Sequence, residues 1–116
     1  MRRLFLIALL GSAFPALADR LPMPANAPAS FTTECSSCHI AYQLALLAAN
    51  DWRKLMAGQS DHFGSDATVD GKTGQEITAF LERNAGNASR LGNAGNPPRI
   101  TQTARFIRKH DEIPAK

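Results

Sequence analysis

Cys35-Ser36-Ser37-Cys38-His39 is the stretch from which the rest of the chain is read. Its pattern, C-x-x-C-H, is the one by which a haem is fixed covalently to a protein. The two thiols add across the two vinyl groups of the porphyrin, and a two-residue spacer brings both sulfurs to one edge of the ring. The histidine directly after the second cysteine then lies under the iron, where its imidazole serves as proximal ligand. A wider spacing would miss one vinyl group, and a displaced histidine would miss the iron.

Three other chemistries use a cysteine pair. A thioredoxin-like dithiol follows a buried apolar strand that opens a helix, whereas Ala29-Ser30-Phe31-Thr32-Thr33-Glu34 is no such strand. A zinc site needs about four ligands, and both cysteines of the chain are already in this motif. A structural disulfide has no use for His39. Haem attachment accounts for all five residues.

The amino-terminal residues agree with that reading. Arg2 and Arg3 form a basic start, residues 4–10 an apolar run, and Ala16-Leu17-Ala18 a small-residue cleavage site, the layout of a secretory signal. The apolar run is well short of the roughly 20 residues that a membrane span needs. Residues 1–18 are therefore expected to be removed, with no span left after cleavage. An exported chain with free thiols would be oxidised unless haem attachment consumed them. The location that follows is the periplasm of a Gram-negative bacterium.

Cleavage also changes the charge. Removing Arg2 and Arg3 lowers the 13 basic residues to 11 against 10 acidic ones. The whole-chain excess of +3 is thus no nucleic-acid or membrane footprint. At 116 residues the chain has room for one domain. Its large apolar side chains are few, so a buried haem would supply apolar area and the apo-protein is expected to be marginal.

Residues 19–30, with Pro22, Pro24 and Pro28, read as an extended arm, and residues 31–116 as the haem domain. Thr32 or Thr33 is a plausible cap for a first helix carrying the motif. Ile40, Leu44, Leu47 and Ala48 continue at helical spacing, so that helix is expected to reach Ala49 or Asn50. A second helix is expected over residues 51–57, stopped by Gly58, with Trp52, Leu55 and Met56 on one face. Asp70 should cap a third, running to about Asn84 and ended by Gly86, with Ile77, Phe80 and Leu81 inward. The Gly- and Asn-rich residues 84–98 read as a flexible or turn-filled connector. Thr101 or Thr103 opens a last helix through Lys109. The fold class is all-α: about four short helices wrapped around a covalent haem, with irregular loops.

The other face of the iron decides the chemistry. His62 is the first candidate, a loop histidine with Phe63 beside it to cover the porphyrin and Gly64 to let the backbone come close. His110 is the second, four residues from Phe106 at a helix end. Met56 reads more simply as core, and Met23 lies in the proline-rich arm. An open iron is the remaining possibility, and would bind or react with small ligands. Asp61, Asp66 and Asp70 read as loop and capping residues. No Ser-His-Asp set, carboxylate pair or phosphate loop suggests an enzyme of bond-making chemistry. A haem-free thiol protein is a third, weaker possibility.

Taken in order, four segments resemble the bacterial dihaem cytochrome c family (DHC). They are Glu34-Cys35-Ser36-Ser37-Cys38-His39-Ile40-Ala41-Tyr42, Trp52-Arg53-Lys54-Leu55-Met56, Asp61-His62-Phe63-Gly64, and Ile100-Thr101-Gln102-Thr103-Ala104-Arg105-Phe106-Ile107-Arg108-Lys109-His110. The resemblance spans roughly residues 31–113. It implies a periplasmic electron carrier, often working with a membrane-bound b-type cytochrome. It places attachment on Cys35 and Cys38, proximal ligation on His39, and distal ligation on the positions of His62 and His110. Family members carry a second C-x-x-C-H near the carboxyl end, and these 116 residues hold one. One covalent haem is therefore expected. His110 is then a sixth ligand for it, a ligand left over from an absent haem, or a surface residue. A truncated gene product is an open alternative.

Overall fold

The computed structural model describes residues 21–111; the signal assigned to residues 1–18 and the tail beyond Asp111 lie outside them. The architecture is all-α. Five helices, α1 (Ala29–Cys35), α2 (Ala49–Ala57), α3 (Gly71–Arg83), α4 (Ala88–Leu91) and α5 (Ala104–His110), are joined by three single 3₁₀ turns. Among the described residues, extended pairing is confined to two isolated bridges, Ala48 with Gly86 and His62 with Ser65. No helix in this range is long and apolar enough to cross a membrane.

The expected first helix is broken. It starts earlier, at Ala29, behind Pro28, whose φ of −66° is already helical and whose carbonyl accepts from Thr32 N–H. It then stops at Cys35. The Ser37 hydroxyl turns back to donate to the Glu34 carbonyl at 2.8 Å, giving the chain a local alternative to the next helical turn. Residues 36–43 are irregular, Leu44–Leu46 form a 3₁₀ turn, and Leu47 is extended. The apolar stripe keeps its burial without its helix: Leu44, Leu47 and Ala48 are buried, whereas Ile40 is 76% exposed. A continuous helix would have carried His39 and Ile40 into regular backbone. Breaking it leaves them on a loop.

The core is the meeting of α1, the Leu44 turn and α3. Phe31, Leu44, Ile77, Phe80 and Leu81 are buried together, with Cys35, Trp52 and Met56 packed on the cluster from outside. Phe31 and Phe80 meet as tilted rings 5.1 Å apart. Burial of each such side chain stabilises the fold by about 1.5–3 kcal/mol. Trp52 Nε1–H donates to the Leu44 carbonyl at 2.7 Å, tying α2 to the irregular segment in front of it. The Asp70 carboxylate caps α3 by accepting from Lys72 and Thr73 N–H.

Helix α3 ends at Asn84, whose side chain donates to the Phe80 carbonyl. Gly86 is not its terminator. Its N–H donates to Leu47 O at 2.8 Å, and its Cα faces the Ala45 carbonyl and Leu91. Residues 84–98 are turn-filled and also contain α4, which Asn87 caps through Ser89 and Arg90 N–H. Leu91, Ala94 and Thr103 are buried here, and the Thr103 hydroxyl caps α5 by accepting from Phe106 N–H.

Candidate functional site

Four features converge on the exposed side of this core. Cys35 is the last residue of α1 and is half-buried against the core cluster. Burial, and secondarily the Glu34 carboxylate, push its thiol pKa upward. Cys38 is exposed, and both thiols are free.

His39 follows on the irregular loop. Its Nδ1 lies 2.8 Å from the Ile40 carbonyl, which can only accept, so Nδ1 carries the proton. The Nε2 lone pair is thereby left for a metal, the tautomer that an iron-ligating histidine needs.

His62 reaches the same place from between α2 and α3. It is held in a two-residue hairpin: His62 N–H donates to Ser65 O at 2.7 Å, and Ser65 N–H to His62 O at 3.2 Å. The central residues, Phe63 with φ 53° and Gly64 with φ 91°, are both left-handed, as in a type I′ turn. The Asp61 carboxylate fixes the turn from inside by accepting from Gly64 N–H.

The two imidazoles lie with centroids 6.3 Å apart and planes 19° from parallel. Two imidazoles bound on opposite sides of one metal at about 2 Å per nitrogen have centroids roughly 6 Å apart. Burial, then the neighbouring His39, lowers the His62 pKa and so favours its neutral, ligating form. Around the pair stand large apolar side chains left open: Ile40 at 76%, Tyr42 at 49% and Phe63 at 43% exposure. Tyr42 lies 5.4 Å from His39, and the Phe63 ring meets His62 edge-on at 4.9 Å. Two free thiols, an imidazole of the right tautomer, a second imidazole at axial distance and an uncovered apolar rim fit a covalent haem. Among the described residues no group of three or more His, Cys, Asp and Glu could hold a bare metal ion.

The other candidates sit elsewhere. His110 stacks on Phe106 at 3.9 Å, its Nδ1–H donating to the Phe106 carbonyl at 2.7 Å. It borders a separate cavity of about 230 Å³ with Leu21, Leu46 and Phe106. Met56 is packed on the core, and Met23 is 38% exposed in the arm. Sequence reasoning missed Arg99, whose guanidinium lies 4.3 Å over the Phe63 ring. No spacing signal links residues so far apart in the chain.

This constellation defines the class of c-type haem proteins. The chain belongs to the dihaem cytochrome c family, whose sequence pattern it matches over residues 31–116. It is therefore a c-type cytochrome of a haem c-binding, electron-carrying family. Solved structures agree. A DHC from Rhodobacter sphaeroides is 41% identical, with a TM-score of 0.63, over 74% of this chain and 72% of that one. A diheme cytochrome c from the same organism is 39% identical, with a TM-score of 0.67, over 80% of each chain. A diheme cytochrome type c from Shewanella baltica OS155 is 42% identical, with a TM-score of 0.63, over 74% of this chain and 63% of that one. Among curated proteins, none matches the chain.

Proposed function

We propose that the protein is an exported one-electron carrier with one haem c, bound through Cys35 and Cys38 and ligated by His39 and His62. The observation that carries this reading is the 6.3 Å, near-parallel relation of the two imidazoles. The family is dihaem, but the 116 residues supply one C-x-x-C-H and hence thiols for one covalent haem. A haem held by these residues would supply one-electron redox chemistry. The chain's own part is to present the imidazoles of His39 and His62, the second on a turn fixed by backbone hydrogen bonds to Ser65. Its location is the periplasm, and its partner a redox protein such as a membrane-bound b-type cytochrome.

The test is spectroscopic. In the haem-loaded protein, His62→Ala should turn a low-spin spectrum high-spin or mixed, while His110→Ala leaves it low-spin. An unchanged low-spin spectrum in His62→Ala removes His62 from the role.

One observation favours a second reading, a haem protein that binds small ligands by displacing His62. Phe63 holds φ 53° next to it, a conformation that costs of order 1–3 kcal/mol for a residue other than glycine. Strain beside a ligand lowers the barrier to its release. Carbon monoxide added to the reduced protein separates the two: rapid, complete binding supports the displaceable site, and resistance supports the electron carrier.

A further inference from the structure

The turn that carries His62 is held from two directions. From inside, the backbone ladder to Ser65 and the Asp61 carboxylate fix its main chain. From outside, the guanidinium of Arg99 covers the Phe63 ring at 4.3 Å, and that ring in turn meets the His62 imidazole edge-on at 4.9 Å. The order is Arg99, Phe63, His62, each in contact with the next.

Arg99 is delivered by a fixed piece of backbone. Its N–H donates to Ala94 O at 2.7 Å, and its carbonyl accepts from Gln102 N–H at 3.0 Å. Ala94 and Pro98 on the same loop are buried. The loop is pressed onto α5 where Gly92, at φ 76°, leaves no room for a Cβ beside Ala104. A positive-φ phenylalanine is a conformation that its surroundings must enforce, and Phe63 is 43% exposed. The Arg99 guanidinium is an enforcing contact that the turn itself does not supply, and a planar guanidinium suits the face of a ring better than an ammonium does.

We infer that Arg99 is a positioning residue for the distal imidazole, acting through Phe63 to keep His62 on the side of His39. The inference rests on the bis-histidine reading above. It ties the carboxyl-terminal lobe to the coordination sphere of a haem attached near the amino end.

The test is the rate at which cyanide enters the oxidised, haem-loaded protein at saturating cyanide. Entry must then wait for His62 to leave, so the plateau rate reports how firmly His62 is held. Arg99→Gln should raise the plateau by about two- to five-fold, as expected for loss of one exposed cation–π contact. Arg99→Lys should lie between wild type and Arg99→Gln. Phe63→Leu should raise it as well, and the double variant should be no faster than Phe63→Leu alone, since both act in one chain of contacts. Arg53→Gln, which removes the exposed ion pair to Glu82, should leave the plateau unchanged. The inference is overturned by a plateau unchanged in Arg99→Gln, by additive single effects, or by an equal rise in Arg53→Gln. His62→Ala keeps the underlying reading separate: it should abolish the plateau, and a plateau that survives in it overturns the distal assignment itself.

Discussion

His39 and His62 face one another at 6.3 Å, with ring planes 19° from parallel, although one follows the end of α1 and the other stands in the hairpin between α2 and α3. Nothing local brings them together. The breaks that do so are the Ser37 turn-back, which ends α1 before His39, and the type I′ turn, which aims His62. Two loops at the edge of the core thus bring the two imidazoles side by side.

That relation makes the centre acid-sensitive. Burial first, then His39, lowers the His62 pKa from its ordinary 6.5, so the folded site takes up a proton less readily than the unfolded chain. The stabilisation is therefore complete above the ordinary histidine range and is lost as pH falls through the lowered value. An iron held by His62 would compete for the same lone pair and push in the same direction. A visible-spectrum titration should show the low-spin signature lost on the acid side, with a midpoint below 6.5. His62→Ala should lack that transition. A midpoint at or above the ordinary histidine value counts against His62 ligation.

Phe80 carries the core that both loops depend on. It is 1% exposed and meets Phe31 at 5.1 Å. Phe80→Ala should lower unfolding free energy by about 3–5 kcal/mol, from lost transfer energy and the cavity left behind. Denaturant unfolding of the haem-loaded protein measures it, and a loss below about 1 kcal/mol would show that the site collapses around the gap.

Much of this was legible in the sequence, for identifiable reasons. C-x-x-C-H encodes its chemistry in adjacent residues, so it survives any error about secondary structure. Asp70, Gly58 and Thr103 mark helix ends by side-chain or backbone rules that act within one turn, and all three mark the ends they suggested. The long first helix was misread because Leu44, Leu47 and Ala48 have helical spacing, yet a 3₁₀ turn and an extended residue bury the same set. Periodicity reports which residues go inward, and two backbones can satisfy it. Gly86 and Arg99 were illegible for another reason: each matters through a partner distant in sequence, Ala45 for one and Phe63 for the other.

Trp52 shows how a polar atom can organise an apolar helix. Its indole N–H is the partner of the Leu44 carbonyl at 2.7 Å, in a segment where Leu44 is 1% exposed. Trp52→Phe keeps most of the ring but leaves that carbonyl only the longer bond from Leu47 N–H at 3.5 Å, and the loss of one such hydrogen bond costs about 0.5–1.5 kcal/mol. The expected result is a lower unfolding midpoint with an unchanged haem spectrum, because α2 carries none of the proposed ligands. A spectrum shifted along with the midpoint would mean that the Leu44 turn transmits to His39.

Gly86 gives the sharpest test of how the segment after His39 is seated. Its N–H bonds to Leu47 O at 2.8 Å, making a parallel bridge with Ala48. A Cβ here would strike the Ala45 carbonyl and come within 2.8 Å of Leu91 Cδ1. The leucine can turn aside, but the carbonyl is backbone of the 3₁₀ turn and cannot yield without moving Leu44 and Leu47. Gly86→Ala should therefore cost about 1–3 kcal/mol, the usual penalty for overpacking a close contact, although alanine adds a single methyl group. The same change at Gly71, where a Cβ meets nothing within 4 Å, supplies the comparison. There the gain in helix propensity and the smaller entropy of the unfolded chain should leave stability unchanged or slightly raised. Thermal unfolding of the two variants decides it: equal midpoints would show that the Ala45 turn shifts freely and does not hold the loop on which His39 stands.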